Sequence, residues 1–168
     1  DHPSFDYIIV GAGSAGAVLA NRLTENGRHE VLLLEAGPED KNPWVHVPLG
    51  YGKLFSNAAL NWLYSTTANP EQVNRRIPQP RGKVLGGSSA INGMVYIRGD
   101  KSDYDQWRQF GNAGWSYDDV LPYFRKAEDQ QRGEDEFHGV DGPLAVSDVY
   151  EEHPLVAAYL ESAVAAGF

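Results

Sequence analysis

Residues 5–26, FDYIIVGAGSAGAVLANRLTEN, decide the fold. Tyr7 to Val10 is a continuous apolar run, the pattern of a strand covered on both faces. Gly11, Gly13 and Gly16 follow with G-x-G-x-x-G spacing. From Ala15 the period becomes helical, with Ala15, Leu19 and Leu23 four apart. Asn26-Gly27 ends that helix, and Val31 to Leu34 is a second apolar run. Strand, glycine turn, helix and strand predict a right-handed βαβ unit with a parallel sheet.

Each glycine has a separate physical task in such a unit. Gly11 permits a tight turn, Gly13 lets the main chain approach a pyrophosphate, and Gly16 lets the helix lie close to the sheet. An anion there meets free N–H groups and the positive end of the helix dipole. Glu35 ends the second strand, where its carboxylate can accept hydrogen bonds from an adenosine ribose and would repel the 2′-phosphate of NADP. The expected class is α/β with a Rossmann-like dinucleotide-binding frame. NAD and FAD carry the same ADP half and fit this stretch equally. The plain alternative is a glycine turn that only packs a helix on a strand.

The chain has 168 residues, 42% of them hydrophobic, and 18 glycines, which fits a globular protein with a real core. Its net charge of −9 argues against nucleic acid and anionic membrane surfaces as partners. There is no cysteine, which excludes disulfides, thiolate metal sites and cysteine nucleophiles and agrees with a reducing compartment. No apolar run is long enough to cross a bilayer, and no signal peptide is visible. The protein is expected to be cytoplasmic, with membrane association left open. The chain starts at Asp1 rather than Met, so further residues are expected before it.

Beyond Gly37-Pro38 the order weakens, and residues 38–60 predict loop with short helical pieces. Residues 69–83 hold three prolines and predict an extended segment. Val95 and Ile97 alternate with Tyr96 and Arg98, which predicts a short strand. Ser102 with Asp105, and Ser116 with Asp119, predict two capping boxes with Asp replacing the preferred Glu. Pro122 is expected to kink or split the second helix. Residues 128–137, EDQQRGEDEF, predict a solvated acidic segment. Residues 153–168 predict a final helix with Pro154 in its first turn and Gly167 at its end. Val156, Leu160, Ala163 and Val164 give that helix an apolar face that needs a partner. A fragment, or one piece of a divided chain, is therefore expected.

A second glycine-rich stretch, residues 82–105, is GKVLGGSSAINGMVYIRGDKSDYD. Gly86-Gly87 lets the backbone approach something flat without Cβ interference. Ser88 and Ser89 can cap a helical turn, and Asn92-Gly93 favours a tight reversal. By spacing alone this could equally be a hairpin turn and a helix start.

The same stretch resembles the first signature of the glucose–methanol–choline (GMC) family of flavin oxidoreductases. The match includes Gly82, Lys83, Gly86, Gly87, Ser88, Ser89, Ile91, Asn92, Tyr96, Gly99 and Asp105. LLLEAG, NWLYST, GNAGWSYDDVLPYF and FHGVDGPL fit the same family, so the resemblance spans nearly the whole chain. It is strongest toward bacterial alcohol and choline dehydrogenases. The resemblance implies that residues 1–168 are the N-terminal part of a GMC-type FAD-binding domain. Insertions would contribute to the surround of the flavin and substrate, and the substrate domain and catalytic region would be largely absent. It implies FAD on Gly11, Gly13, Ser14, Ala15 and Gly16, with Glu35 and Ala36 at the ribose and adenine end. Val84, Gly87 and Ser88 would run along the cofactor. Asn92, Gly93, Met94 and Val95 would pass beside the isoalloxazine, with backbone N–H groups stabilising negative charge on the reduced ring. Trp62, from NWLYST, is a further candidate for the flavin side. Some members tether FAD through a histidine just before the matched asparagine; Ile91 stands there, so FAD is expected to be non-covalent.

The family oxidises alcohols by hydride transfer to flavin N5, with a histidine handling the hydroxyl proton. That histidine lies far downstream in the family's chains, so a second polypeptide segment carrying it is an expected partner, and a small alcohol the expected substrate. His2, His29, His46, His138 and His153 do not match it, and no catalytic residue is assigned here. No metal-ligand pattern appears. Asp103, Asp105, Asp118 and Asp119 fall at helix starts and suit the dipole. Arg75, Arg76, Arg81 and Lys83 could help neutralise a pyrophosphate or pair with surface acids. The competing hypotheses are a nicotinamide-binding dehydrogenase domain and a non-catalytic remnant.

Overall fold

The computed structural model describes residues 3–149 and 153–168. The chain divides into two compact units, Asp1–Val95 and Tyr96–Phe168.

In the first unit the βαβ frame forms as predicted. Strand β1 (Tyr7–Val10) lies parallel to β2 (Val31–Leu34), with Tyr7 opposite Val31 and Val10 opposite Leu34. Helix α1 (Ser14–Thr24) joins them, and Gly27 reverses the chain at φ +66°. The expected cover on both faces is absent. Ile9 is buried, but Ile8 is 62% and Val10 84% exposed. Two strands and one helix cannot enclose both sides of a sheet, so the apolar run shows a face that nothing covers among the described residues.

Between β2 and the second glycine stretch the chain makes short pieces, as predicted. Pro43–Val45 and Pro48–Gly50 are 3₁₀ turns and α2 is Tyr51–Leu54. Proline at a first position presets φ and gives up an N–H that would be unpaired anyway. Leu54, Leu60, Val84 and Ile91 form a small apolar core, flanked by Val45 and Ala90. Asn61, buried beside that core, accepts from the Leu63 and Arg81 N–H groups at 2.9 and 3.1 Å and donates to the Phe55 carbonyl at 3.0 Å. One amide thus joins three stretches of backbone.

Residues 69–83 are not uniformly extended. Asn69 caps a 3₁₀ turn at Pro70–Gln72, and Val73 and Asn74 reverse the chain at φ +57° and +55°. The segment then returns as β4 (Pro78–Gln79), antiparallel to β3 (Tyr64–Ser65). The prolines permitted extension, but the asparagine side chain completes a turn locally.

In the second unit α3 spans Lys101–Gln109 and α4 spans Tyr117–Ala127. Ser116 caps α4 with Asp119, as predicted, whereas α3 is capped two residues before Ser102, by Asp100 paired with Asp103. Asp105 is therefore not at a helix start; it accepts from the Tyr117 N–H at 3.1 Å and ties the two helices together. Pro122 does not split α4. It costs one backbone bond, and the capping box at Ser116 supplies two. The strand expected at Val95 and Ile97 is absent; both are over 80% exposed and have no strand partner among the described residues.

The largest departure is Glu128. It opens β5 (Glu128–Gln130), which pairs in parallel with β6 (Leu144–Val146). Its side chain is fully enclosed and paired with Arg98. Gly139 N–H and Gln130 Nε2 also donate to it, at 3.3 and 3.2 Å. Composition reads this residue as solvated, but a carboxylate with three donors can be buried. Helix α5 (Pro154–Ala165) is capped by His153, which accepts from the Leu155 N–H at 3.2 Å, with Gly167 beyond its end at φ +92°. Val156, Leu160 and Val164 stay exposed on it.

Candidate functional site

The two glycine stretches meet in the first unit. The Gly86 N–H donates to the Ala12 carbonyl at 2.9 Å, and Ser14 Oγ lies 2.9 Å from Ser89 Oγ. Gly87, at φ +58°, lies so near the first turn that a Cβ on it would stand 2.8 Å from the Gly13 Cα. Gly87 thus spends its missing side chain on Gly13 rather than leaving its surface open. A Cβ on Gly16 would overlap the Gly11 carbonyl, as expected for a helix pressed onto its strand. Gly11 takes φ +99° with nothing near its Cβ direction, so its backbone turns beside open space.

This arrangement prepares an anion site. The first N–H groups of a helix have no intrahelical acceptor. Among the described residues, those of Gly13, Ser14, Ala15 and Gly16 find none elsewhere. No acidic side chain occupies the first turn of α1, so its positive dipole end is not neutralised. Glu35, at the end of β2, accepts from the Ala12 N–H at 2.8 Å and from the Gly37 N–H at 3.0 Å. Its carboxylate braces the glycine turn, and each oxygen keeps a further lone pair. Ala36, next to it, is exposed.

The second stretch forms a 3₁₀ turn at Gly87–Ala90 that no serine caps. Ser88 Oγ instead accepts from the Gly82 N–H at 3.1 Å, and Ser89 Oγ donates to the Gly86 carbonyl at 2.7 Å. Val84 is fully enclosed in the core, so its side chain supports the stretch from beneath. The reversal predicted at Asn92-Gly93 falls one residue later. Met94 takes φ +58°, held by its N–H donating to Asn92 Oδ1 at 2.9 Å. Val95 follows, 83% exposed.

A cavity of about 370 Å³ opens beside this turn. Gly86, Ser89, Asn92 and Met94 of the second stretch line it together with Trp44, His46 and Tyr51. Gly93 and Val95 adjoin its lining residues in sequence without lining it. Trp62 is elsewhere: half exposed, it stacks on Tyr64 with ring centroids 6.0 Å apart, and Lys83 Nζ lies 4.9 Å from its ring. Arg75, Arg76, Arg81 and Lys83 make no ion pair among the described residues, so surface pairing does not account for them. His29, His138 and His153 serve local structure, at Asp6, Asp135 and the α5 cap; His2 lies outside the described residues. His46 is different, because it lines the cavity. No histidine motif marks it in the sequence, and only the turns at Pro43 and Pro48 bring it there. Among the described residues no cluster of three or more His, Cys, Asp or Glu could hold a metal ion, and no helix is long and apolar enough to cross a membrane.

Comparison with known proteins agrees with this geometry. A family model described as GMC oxidoreductase matches residues 5–168. The oxygen-dependent choline dehydrogenase of Sinorhizobium fredii is 48% identical over 163 residues, 97% of this chain and 30% of that protein. The crystal structure of pyridoxine 4-oxidase from Mesorbium loti superimposes with a TM-score of 0.90 at 37% identity, covering 96% of this chain and 32% of that one. An FAD-dependent oxidoreductase from Chaetomium thermophilum matches with a TM-score of 0.83 at 32% identity, covering 98% of this chain and 30% of that one. The chain thus spans about a third of the length of these relatives.

Proposed function

The chain belongs to the GMC oxidoreductase family, and from that membership we propose that it is the FAD-holding N-terminal part of an enzyme oxidising an alcohol to an aldehyde or ketone. The observation that carries this is the contact between the glycine stretches, with Gly86 bonded to Ala12 and Gly87 against Gly13. A turn that merely packed a helix on a strand would have no use for the second stretch.

The residues present fit an FAD. Among the described residues, four N–H groups at the start of α1 lack acceptors, no atom fills the space at Gly11, and no acid in the first turn competes for the dipole. Gly13, Ser14, Ala15 and Gly16 would bind the pyrophosphate, while Glu35 and Ala36 would flank the ribose and adenine. Gly86, Gly87 and Ser89 hold the second stretch against the first, and Ser88, bonded to the Gly82 N–H, braces the second stretch itself. Asn92, Gly93 and Val95 would orient the ring system with main-chain donors, and Met94, whose own N–H is held by Asn92, would pass beside it. FAD supplies the hydride acceptor for the reaction. The residue that takes the substrate's hydroxyl proton would lie in the remaining part of the protein. Trp62, Arg81 and Lys83 adjoin the start of the second stretch and would serve electrostatics or shape rather than proton transfer.

The FAD would be held non-covalently. Ile91, at the tethering position, has no nucleophile and is 2% exposed within the core. Acid precipitation of the full-length protein should release all flavin into the supernatant; flavin remaining with the pellet would overturn this. Titration of the full-length apoprotein tests the larger claim. Tight binding of FAD and none of NAD is expected; the reverse would favour a nicotinamide dehydrogenase.

A further inference from the structure

His46 stands on the wall of the cavity that also carries Asn92 and Met94. Its Nε2 lies 2.6 Å from the Asp40 carbonyl. A carbonyl only accepts, so Nε2 must carry a hydrogen, and in the neutral ring Nδ1 is then an acceptor. No protein donor reaches Nδ1 among the described residues. Among the other lining residues, Ser89 Oγ donates to the Gly86 carbonyl and Asn92 Oδ1 accepts from the Met94 N–H. His46, a lining residue of the cavity, therefore carries an acceptor whose tautomer and ring position are fixed by a main-chain bond. Such an acceptor loses little freedom when it binds a donor.

We propose that His46 Nδ1 accepts a hydrogen bond from an N–H or O–H of the flavin half of the cofactor. This rests on the FAD assignment above. It makes His46 a binding residue for the cofactor, and it makes cofactor affinity depend on the charge of one ring. Protonation converts Nδ1 from acceptor to donor, so acid removes the bond. The other titratable groups on the cavity wall are Asp40, before the first 3₁₀ turn, and Tyr51 on α2; the stretch from Leu85 to Met94 brings none.

The test uses full-length apoprotein and its H46Q and H46F variants, with FAD affinity measured by flavin-fluorescence quenching from pH 8 to pH 5. H46F should weaken FAD binding about two- to tenfold at pH 8, the effect of one neutral hydrogen bond. It should leave the affinity for ADP unchanged. H46Q, whose amide oxygen can accept without titrating, should stay within about twofold of wild type at pH 8. Wild-type affinity should fall on acidification, while that of H46Q stays level. Equal affinities and parallel pH profiles in all three proteins would overturn the proposal. So would an imidazole-dependent rise on acidification, the mark of a cation on the phosphates. If H46F does not fold, the comparison of wild type with H46Q still decides. A wild type that binds no FAD at any pH would overturn both this inference and the FAD assignment, whereas normal binding with inert variants would overturn this inference alone.

Discussion

Replacing Gly87 with alanine attacks the point where the two glycine stretches touch. Gly87 sits at φ +58°, where an L-residue costs about 1–2 kcal/mol more than in its preferred region. The added Cβ would also stand 2.8 Å from the Gly13 Cα, which is backbone and cannot rotate aside. Overpacking of this kind typically costs about 1–3 kcal/mol. Together these give a loss of about 2–5 kcal/mol in folding stability, measurable by urea unfolding of the full-length apoprotein. Relief would come from separating the turns, which misaligns the N–H groups of Ser14 and Ala15. Losing even one charge-assisted bond to a phosphate, about 1.5–3 kcal/mol, weakens FAD binding at least about tenfold. Gly52→Ala is the control. Nothing lies within 4 Å of its Cβ direction, and alanine in that helix should be neutral or stabilising by about 0.5–1 kcal/mol. A G87A protein with the unfolding midpoint and FAD affinity of wild type would refute the idea that this contact builds the cradle.

Three further outcomes follow from the structure. Glu35→Ala leaves the Ala12 and Gly37 N–H groups without their acceptor and should destabilise the apoprotein by about 1–3 kcal/mol in urea, even with no cofactor present. Glu128→Gln leaves Arg98 enclosed without its counter-charge and should cost about 3–5 kcal/mol by the same assay, while a paired replacement of both by apolar residues should recover much of it. Asp135 is held down to about 2 by its bond to His138 and by the Phe137 and His138 N–H groups, from an ordinary value of 3.8. A depressed carboxylate contributes its stabilisation fully above the ordinary value and loses it as pH falls toward the folded one. Amide exchange at Phe137 and His138 should therefore speed up between pH 4 and pH 2 relative to the rest of the chain, and Asp135→Asn should abolish that dependence.

The sequence showed the parts whose information is local. Apolar runs, a glycine turn and a helical period predict β1, α1 and β2 because each is specified within a few residues. The capping box of α4 was visible for the same reason. Long-range pairing was hidden. Nothing in the polar run after Ala127 tells that Glu128 turns inward to Arg98, 30 residues earlier. The box at Asp100 is hidden behind Ser102, the more familiar cap, although the side chains of Asp100 and Asp103 make one of its bonds each. Gly86-Gly87 could be seen to need close backbone approach, but not that the approaching surface is Gly13. His46 carries no motif; a carbonyl bond and a cavity wall distinguish it, and both exist only after folding. Val84 is the reverse case. The family resemblance implies that its segment runs along the cofactor, and only the fold shows that its side chain is enclosed against Leu54, Leu60 and Ile91.

A crystal structure of the full-length protein with its cofactor tests the central claim most directly. The pyrophosphate of an FAD should lie within hydrogen-bond distance of the Ser14 and Ala15 N–H groups, with the ring system beside Asn92 to Val95 and no covalent link at Ile91. A dinucleotide bound away from the Gly13–Gly87 contact, or an NAD in that place, would contradict it.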